Sequence, residues 1–313
     1  MARAFVFPGQ GSQAVGMGAG LAEAFPAARE LFEEVDEALK QRLSKLMREG
    51  PESELMLTEN AQPALMAVSL AAVRVLEREL GRRLADSAAY VAGHSLGEYS
   101  ALAAAGAFQV ADAARLLKRR GRAMQKAVPV GEGAMAALIG ADLEQAEAIA
   151  KEAAQGEVCA PANDNAPGQV VVSGHKAAVE RAVALAAERG IKRSVMLPVS
   201  ARFHCALMKP AADEMAEALA EARILPPAVP VVANVTAAPV KDPETIRRLL
   251  VEQVTGLVRW RESVLAMKAA GVDTIIELGA GKVLSGLVKR IDRDISASSA
   301  GTPEELEALA KTL

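Results

Sequence analysis

The chain has 313 residues, of which 51% are hydrophobic, and its 36 Lys and Arg residues nearly balance 39 Asp and Glu residues at a net charge of −3. This length exceeds the size at which one core usually stops growing, so we expect a main domain and a smaller one. The charge balance gives no field that would draw the whole surface to nucleic acid or an anionic membrane, and we expect neither as a partner.

Targeting and cysteine patterns narrow the class further. The N-terminal sequence MARAFVFPGQGSQ has no long apolar segment and no small-residue cleavage site, and no 18 apolar residues run uninterrupted anywhere in the chain. We therefore expect a soluble, cytoplasmic protein. Cys159 and Cys205 are too few for a disulfide framework and lack the spacing of a zinc site, so we expect reduced thiols and no structural metal.

The first elements predict an α/β arrangement. An apolar run at 3–7 stops at Pro8, as a buried strand does where it meets a glycine-rich loop. A helix is predicted from a start signal at Asn60, with a proline near its first turn, to a stop at Gly81.

The stretch VAGHSLGEYSAL, residues 91–102, places Ser95 in a G-x-S-x-G turn between a predicted strand at 88–92 and an alanine-rich helix at 96–105. Such a turn exposes a serine hydroxyl, and the amide of Leu96 would point to where an oxyanion forms. We interpret Ser95 as a nucleophile. The alternative is a turn of small residues that packs the helix on the sheet.

The rhythm of the sequence changes after Met124. Up to Pro198 the apolar pattern predicts strand, helix, strand, strand, helix and strand, which is the βαββαβ order of a ferredoxin-like unit. We interpret residues 127–198 as a small domain inserted into an α/β domain that comprises 1–126 and 199–313.

After the insert the elements are mixed again. A strand is expected at 229–235, a capped helix at 242–254, and a strand, loop and helix at 272–291. The segment from Asp294 onward, DISASSAGTPEELEALAKTL, is expected to be a mobile tail.

A serine is a weak nucleophile unless a neighbour takes its proton, and His94, His175 and His204 are the candidates. We expect His94 to project away from Ser95 and pack, and His175 to begin a surface helix of the insert. His204 follows the insert, where a segment can lie over the mouth of the sheet, so we select it as the base. No acid before it occupies a suitable loop, which predicts a dyad oriented by a backbone carbonyl, and Glu98 is interpreted as a first-turn carboxylate favoured by the helix dipole.

Four basic residues crowd positions 118–122, in KRRGR. Such clusters usually form a solvated face near a helix C-terminus. The functional interpretation is that one arginine turns inward, where its planar fork would pair with a carboxylate and select a dicarboxylic acyl group. The spacing alone does not choose which arginine.

The loop GQGSQA at 9–14 fits the dinucleotide fingerprint G-x-G-x-x-A, but the segment at 27–41 is predicted to be helical where a second strand is required. We exclude dinucleotide binding. A loop of this kind can instead bring backbone N–H groups close to a reacting oxygen.

Four motifs occur in a fixed order: Pro8–Gln13 (PGQGSQ), Gly93–Tyr99 (GHSLGEY), Arg120–Gln125 (RGRAMQ) and His204–Pro210 (HCALMKP). In this combination the chain resembles the malonyl-CoA:acyl carrier protein transacylases, from about residue 4 to residue 290. The resemblance implies an α/β-hydrolase-like core with a central, mostly parallel sheet and a ferredoxin-like insert.

The resemblance also implies site residues. They are Ser95 as nucleophile, His204 as base, the backbone amides of Gln10 and Leu96 as oxyanion donors, Arg120 as the carboxylate clamp, and Gln253, whose main-chain carbonyl orients the histidine.

The implied reaction is a two-step transfer of malonyl from malonyl-CoA to the phosphopantetheine thiol of acyl carrier protein, through a malonyl-serine ester, for fatty-acid synthesis. No permanently bound cofactor, no metal and a monomer are expected. The acidic carrier would dock on basic residues, for which the candidates are Lys118, Arg119, Arg122, Lys126, Lys289 and Arg290. The alternatives are a serine thioesterase or esterase, and a non-catalytic module that binds the carrier.

Arg202 departs from the pattern of the relatives, in which the position two before the histidine is small or proline. It turns to solvent, or it contacts a CoA phosphate or the malonyl carboxylate. Phe203 would crowd an α-methyl branch, but the choice between malonyl and methylmalonyl stays open, as do the fatty-acid or polyketide pathway and the carrier.

Overall fold

The structure is a computed structural model that describes residues 2–191, 193–198 and 203–313. The strands of this part are β1 Ala2–Phe7, β2 Tyr90–Gly93, β3 Gly133–Ile139, β4 Cys159–Ala166, β5 Gln169–His175, β6 Arg193–Met196, β7 Val231–Val232, β8 Pro239–Val240, β9 Val272–Leu278 and β10 Ser296–Ala300.

The helices of the same part are α1 Ala19–Ala24, α2 Pro26–Leu39, α3 Leu43–Glu49, α4 Glu52–Leu55, α5 Thr58–Arg78, α6 Leu84–Ser87, α7 Gly97–Ala104, α8 Val110–Ala127, α9 Leu143–Ala154, α10 Lys176–Glu188, α11 Lys209–Glu221, α12 Pro243–Thr255, α13 Trp260–Ala269, α14 Val283–Ile291 and α15 Pro303–Ala310. A single 3₁₀ turn, Ala206–Met208, precedes α11.

The strands form two sheets. The larger sheet has the order β10-β9-β1-β2-β7-β8, and its pairings are parallel except for the β7–β8 edge. The smaller sheet, β4-β5-β3-β6, is antiparallel throughout, and with α9 and α10 it follows the βαββαβ order. These sheets confirm the predicted fold class, in which a mostly parallel core carries a ferredoxin-like unit.

Helix α5 lies in the interior of the larger unit. Its residues from Asn60 to Val73 are all buried, as is typical of a helix that packs on every side. It contributes Leu65 to a core that includes Phe5 on β1 and Val91 on β2. The smaller sheet has a separate core between its strands and α9 and α10.

Three element predictions are corrected. The segment after Asp294 is not a mobile tail, because β10 pairs with β9 and a capping box at Thr302 starts α15, which buries Leu306. The small side chains of β10 gave no apolar alternation that would have predicted this strand. Helix α5 begins two residues before Asn60, and the strand expected at 229–235 is only two residues long.

The predicted domain boundary between 198 and 199 has one side outside the described residues, and Arg202 also lies outside them.

The two units contact each other through β4. The Val258 N–H donates to the Ala162 carbonyl, and the Val258 carbonyl accepts from the Asp164 N–H, both at 2.9 Å. The guanidinium of Arg261 forms an ion pair with Asp164 at 2.8 Å, and the Asp164 carboxylate is buried. The smaller sheet is therefore fixed beside the segment that follows α12.

We expect Asp164→Ala to lower the free energy of unfolding by about 1–3 kcal/mol, because it removes a buried charged partner and leaves Arg261 unpaired. Urea denaturation followed by circular dichroism measures the change. The matched control is Glu180→Ala, which removes an exposed carboxylate beside Lys176 and should leave the midpoint unchanged. Equal midpoints for both variants would show that the Asp164 pair does not stabilise the fold.

Candidate active site

Ser95 lies at a sharp turn between β2 and α7, with a backbone φ of 54° in the left-handed region. Few non-glycine residues adopt this region, and they concentrate at functional sites. A Cβ on Gly93 would lie 1.8 Å from the Gly97 carbonyl oxygen, and one on Gly97 would lie 2.3 Å from the Phe7 carbonyl oxygen. Backbone contacts therefore require both glycines of G-x-S-x-G.

Asn234 holds this turn from the neighbouring strand. It lies two residues after β7 and is fully buried. Its Oδ1 accepts a hydrogen bond from the Ser95 N–H at 2.8 Å, and its Nδ2 donates to the Gly93 carbonyl at 2.7 Å. The strained backbone of Ser95 is thus fixed on both sides.

His204 lies against Ser95, with 2.8 Å between His204 Nε2 and Ser95 Oγ. Its Nδ1 is 2.7 Å from the main-chain carbonyl of Gln253, in the last turn of α12. Carbonyls of a last helical turn have no partner within the helix, so this one is available to accept. Because a carbonyl can only accept, Nδ1 carries the proton and Nε2 accepts from the serine hydroxyl.

The environment keeps this imidazole neutral. Burial, together with the charge of Arg120, lowers the pKa of His204 to about 3. Near neutral pH its Nε2 is therefore unprotonated and can accept a proton from Ser95.

Arg120 is 1% exposed and extends from α8 beneath the same serine. Its Nη1 donates to Gln62 Oε1 at 2.8 Å, and its Nη2 donates to Gln253 Oε1 at 2.8 Å and to Ser95 Oγ at 3.1 Å. The guanidinium carbon lies 5.7 Å from the centroid of the Tyr99 ring. Among the described residues no carboxylate forms an ion pair with Arg120, and its Nε has no acceptor.

The other cations of the KRRGR cluster are occupied elsewhere: Lys118 and Arg122 pair with Glu59, and Arg119 pairs with Glu214. A Cβ at Gly121 would lie 2.6 Å from the Thr58 carbonyl oxygen, so a glycine here lets α8 approach the start of α5. This close approach brings the arginine beside Gln62, into the cleft.

A cleft of about 590 Å³ opens above the serine, at the carboxyl ends of β1 and β2. Ser95, His204, Arg120, Gln10 and Leu96 all line it, whereas Gln253 lies buried behind them. In the described part of the chain, the backbone N–H groups of Gln10 and Leu96 have no acceptor. Both residues line the cleft together with Ser95.

Comparison with known proteins identifies an acyl transferase domain. The family model for the acyl transferase domain matches residues 4–302. The malonyl CoA-acyl carrier protein transacylase of Escherichia coli (strain K12) is 49% identical over 305 residues, which cover 97% of each chain.

The crystal structure of an acyl-carrier-protein-S-malonyltransferase from Bartonella henselae superposes with a TM-score of 0.97 at 56% identity, covering 100% of this chain and 99% of that one. A type II PKS acyl-carrier protein in complex with its malonyl-transacylase gives a TM-score of 0.96 at 44% identity over 100% of both chains. The chain belongs to the malonyl CoA-acyl carrier protein transacylase family. The resemblance seen in the sequence is confirmed.

Sequence reasoning missed several polar side chains that support this transacylase site. Gln62, Asn234 and the Gln253 carboxamide are buried and bond to its main residues. Glu98 is in the first turn of α7, as expected, but it is 2% exposed, so the helix dipole does not fully account for it. A charged residue within the otherwise small and apolar stretch GEYSALAAA was the signal available.

The other two histidines lie away from the serine hydroxyl. The His94 Nε2 donates to Asn165 Oδ1 at 2.7 Å, and its ring lies 5.7 Å from that of Trp260. His175 occupies the N-cap position of α10 without a side-chain capping bond, and its Nδ1 accepts from the Val158 N–H. Within residues 2–191, 193–198 and 203–313 there is no cluster of metal-ligating side chains, and no helix there is long and apolar enough to span a membrane.

Because a low pKa keeps His204 in its free-base form at acid pH, we expect a fluorophosphonate probe to label Ser95 at the same rate from about pH 8 down to about pH 5. Rapid quenching and mass spectrometry measure this rate. His204→Asn should label at least about a hundredfold more slowly. A half-loss of rate near pH 6.5, the value of an ordinary histidine, would contradict the expectation.

Proposed function

We propose that the chain transfers a malonyl group from malonyl-CoA to the phosphopantetheine thiol of acyl carrier protein, through an ester on Ser95. The observation that carries the proposal is Arg120, a buried cation without a direct carboxylate partner in the described part of the chain, bonded to the hydroxyl of a Ser–His pair. A buried charge with no anion in direct contact is costly, and a carboxylated acyl group would supply that direct partner.

In the first half-reaction Ser95 Oγ attacks the thioester carbon of malonyl-CoA while His204 Nε2 takes the hydroxyl proton. The oxyanion of the tetrahedral intermediate accepts hydrogen bonds from the amides of Gln10 and Leu96. When the C–S bond breaks, the imidazolium returns the proton and CoA leaves as a thiol. The Gln253 carbonyl accepts from the Nδ1–H throughout. It therefore stabilises the imidazolium that forms while Nε2 holds the serine proton.

The second half-reaction uses the same groups. The carrier's phosphopantetheine thiol gives its proton to His204, and its sulfur attacks the malonyl ester. The ester C–O bond breaks, and Ser95 recovers the proton from the imidazolium. Two acyl acceptors that visit one serine in turn give ping-pong kinetics.

Arg120 accounts for the choice of acyl group. A malonyl carboxylate can accept hydrogen bonds directly from the guanidinium, whereas an acetyl group leaves it without an anion in direct contact. This loss is about 1–3 kcal/mol, or about 5- to 150-fold in rate. A serine esterase or thioesterase has no need of such a cation, and the family membership also argues against this alternative.

We infer acyl carrier protein as the partner from the relatives of this chain, one of which was solved in complex with such a carrier. Of the candidate docking residues, Lys126 lines a groove of about 460 Å³ on α8 together with Arg119 and Arg122, and Arg290 bonds to Gln169. We further propose that the enzyme works in the cytoplasm as a monomer with no resident cofactor, and that 1–126 and 199–313 form the catalytic domain around an insert at 127–198.

Incubation with radiolabelled malonyl-CoA should leave a stable label on Ser95 that holo acyl carrier protein removes much faster than water does. Ser95→Ala should take no label and should lose carrier malonylation, because the attacking oxygen is gone. Hydrolysis without transfer would favour the thioesterase. Unchanged carrier malonylation by Ser95→Ala would rule out the proposed ester.

Arg120→Ala should slow acylation by malonyl-CoA at least about tenfold and narrow the preference for malonyl over acetyl by a similar factor. The acylation half-reaction, measured without carrier, separates this effect from docking. Arg119→Ala is the matched control, since the neighbouring side chain pairs with Glu214 on the surface. An unchanged malonyl preference in Arg120→Ala would reject the clamp.

A further inference from the structure

Glu98 is a buried carboxyl group that the proposed mechanism does not use. The Gln253 Nε2 donates to it at 2.8 Å and the Asn234 N–H donates at 3.1 Å, both to the same oxygen, Oε2. No donor among the described residues reaches Oε1. A proton can therefore bind Oε1 without breaking either hydrogen bond.

The Gln253 carboxamide connects Glu98 to Arg120. Its Nε2 donates to the carboxylate on one side, and its Oε1 accepts from the guanidinium at 2.8 Å on the other. An ionised carboxylate only accepts and a guanidinium only donates, so together they fix this orientation of the amide. In the described part of the chain Arg120 has this bridged carboxylate and none in direct contact.

Few other ionisable groups face Glu98. Of the described residues, Arg120 on α8 is the charged side chain that acts on it. Tyr99 is next to it, and burial raises the pKa of that phenol, so the ring stays neutral. His204 and His94 are also part of the site, and burial lowers the pKa of both, so they too are neutral near pH 7. Glu52 lines the same cleft.

We propose that Glu98 is the resident counter-ion of Arg120, and that a carboxylated acyl group enters the site together with one proton from solvent, which Glu98 takes up on Oε1. The inference rests on the proposed function, because it assumes a malonyl carboxylate on Arg120. Before binding, one guanidinium faces one carboxylate. After binding, two carboxylates would share one cation in a buried site, and protonation of Glu98 restores the balance.

The energetics of Glu98 suit this exchange. Burial raises its pKa to about 7, against the opposing effects of its two hydrogen bonds and of Arg120. A second anion next to Arg120 raises the pKa further. Below about pH 7 the carboxyl is already protonated and malonyl binds without proton uptake. Above that pH Glu98 must take up a proton for each malonyl group that binds. The apparent affinity for the malonyl group therefore falls about tenfold per pH unit.

The ratio of Ser95 acylation rates with malonyl-CoA and with acetyl-CoA isolates this effect. Both substrates share the CoA moiety, the nucleophile and the base, so their common pH dependence cancels. In the native enzyme the malonyl-to-acetyl ratio should be constant from about pH 5.5 to 6.5 and then fall about tenfold per unit above pH 7. A constant ratio from pH 5.5 to 9 would overturn the proposal.

Glu98→Gln keeps an acceptor oxygen for both donors but cannot titrate, so its ratio should stay flat over the whole range. The matched control is Glu277→Gln, which removes another buried carboxylate, one that accepts from the backbone N–H groups of Leu284 and Ser285. It should lose thermal stability but keep the native fall in ratio. The same fall in Glu98→Gln would assign the titration to another group and reject Glu98.

Calorimetry of Ser95→Ala gives a second measure that does not depend on the Glu98 variant folding. Binding of malonyl-CoA at about pH 8, compared between phosphate and Tris buffers, should show uptake of about one proton, and acetyl-CoA should show none. Equal uptake for both ligands would reject the proposal. If the native enzyme forms no malonyl-serine, the proposed function fails, whereas transfer without this proton linkage rejects the counter-ion alone.

Discussion

One residue at the end of α12 joins the groups of this site. Gln253 accepts from His204 through its main-chain carbonyl and from Arg120 through its side-chain oxygen. Its Nε2 donates to the Ser95 carbonyl at 3.0 Å and to Glu98. His204, Arg120, Ser95 and Glu98 are therefore all bonded to this one residue, and a shift of α12 would displace all four. Arg261, which follows this helix closely in the chain, pairs with Asp164 on β4 and limits such a shift from the side of the smaller sheet.

Much of the fold follows from local patterns. The βαββαβ order could be predicted because each of its elements has a clear apolar period and a turn signal at its end. The G-x-S-x-G turn could be predicted because its two glycines reflect backbone contacts that admit no side chain. The tail could not, since β10 is a run of serine and alanine whose strand state depends on pairing with β9.

The sequence pointed to the residues that the structure brings together around Ser95, but not to the polar side chains that hold them. Ser95 and His204 are of residue types that suggest their chemistry, but the choice of Arg120 needed the family resemblance, because four cations in five positions look alike in sequence. Asn234 bonds to Ser95, 139 residues away in the sequence, and Gln62 bonds to Arg120, 58 residues away. Such contacts are formed by tertiary packing, and amides of this kind have no spacing rule that would reveal them.

The backbone of the dyad limits which nucleophiles the site could accept. Ser95 and His204 both have a positive φ, at 54° and 57°. A β-branched side chain is strongly disfavoured there, so threonine, although it has a hydroxyl, is a poor replacement for this serine. Cysteine has no such branch and fits the same conformation. This backbone could therefore carry a cysteine thiol at position 95, whereas it strongly disfavours the secondary alcohol of threonine.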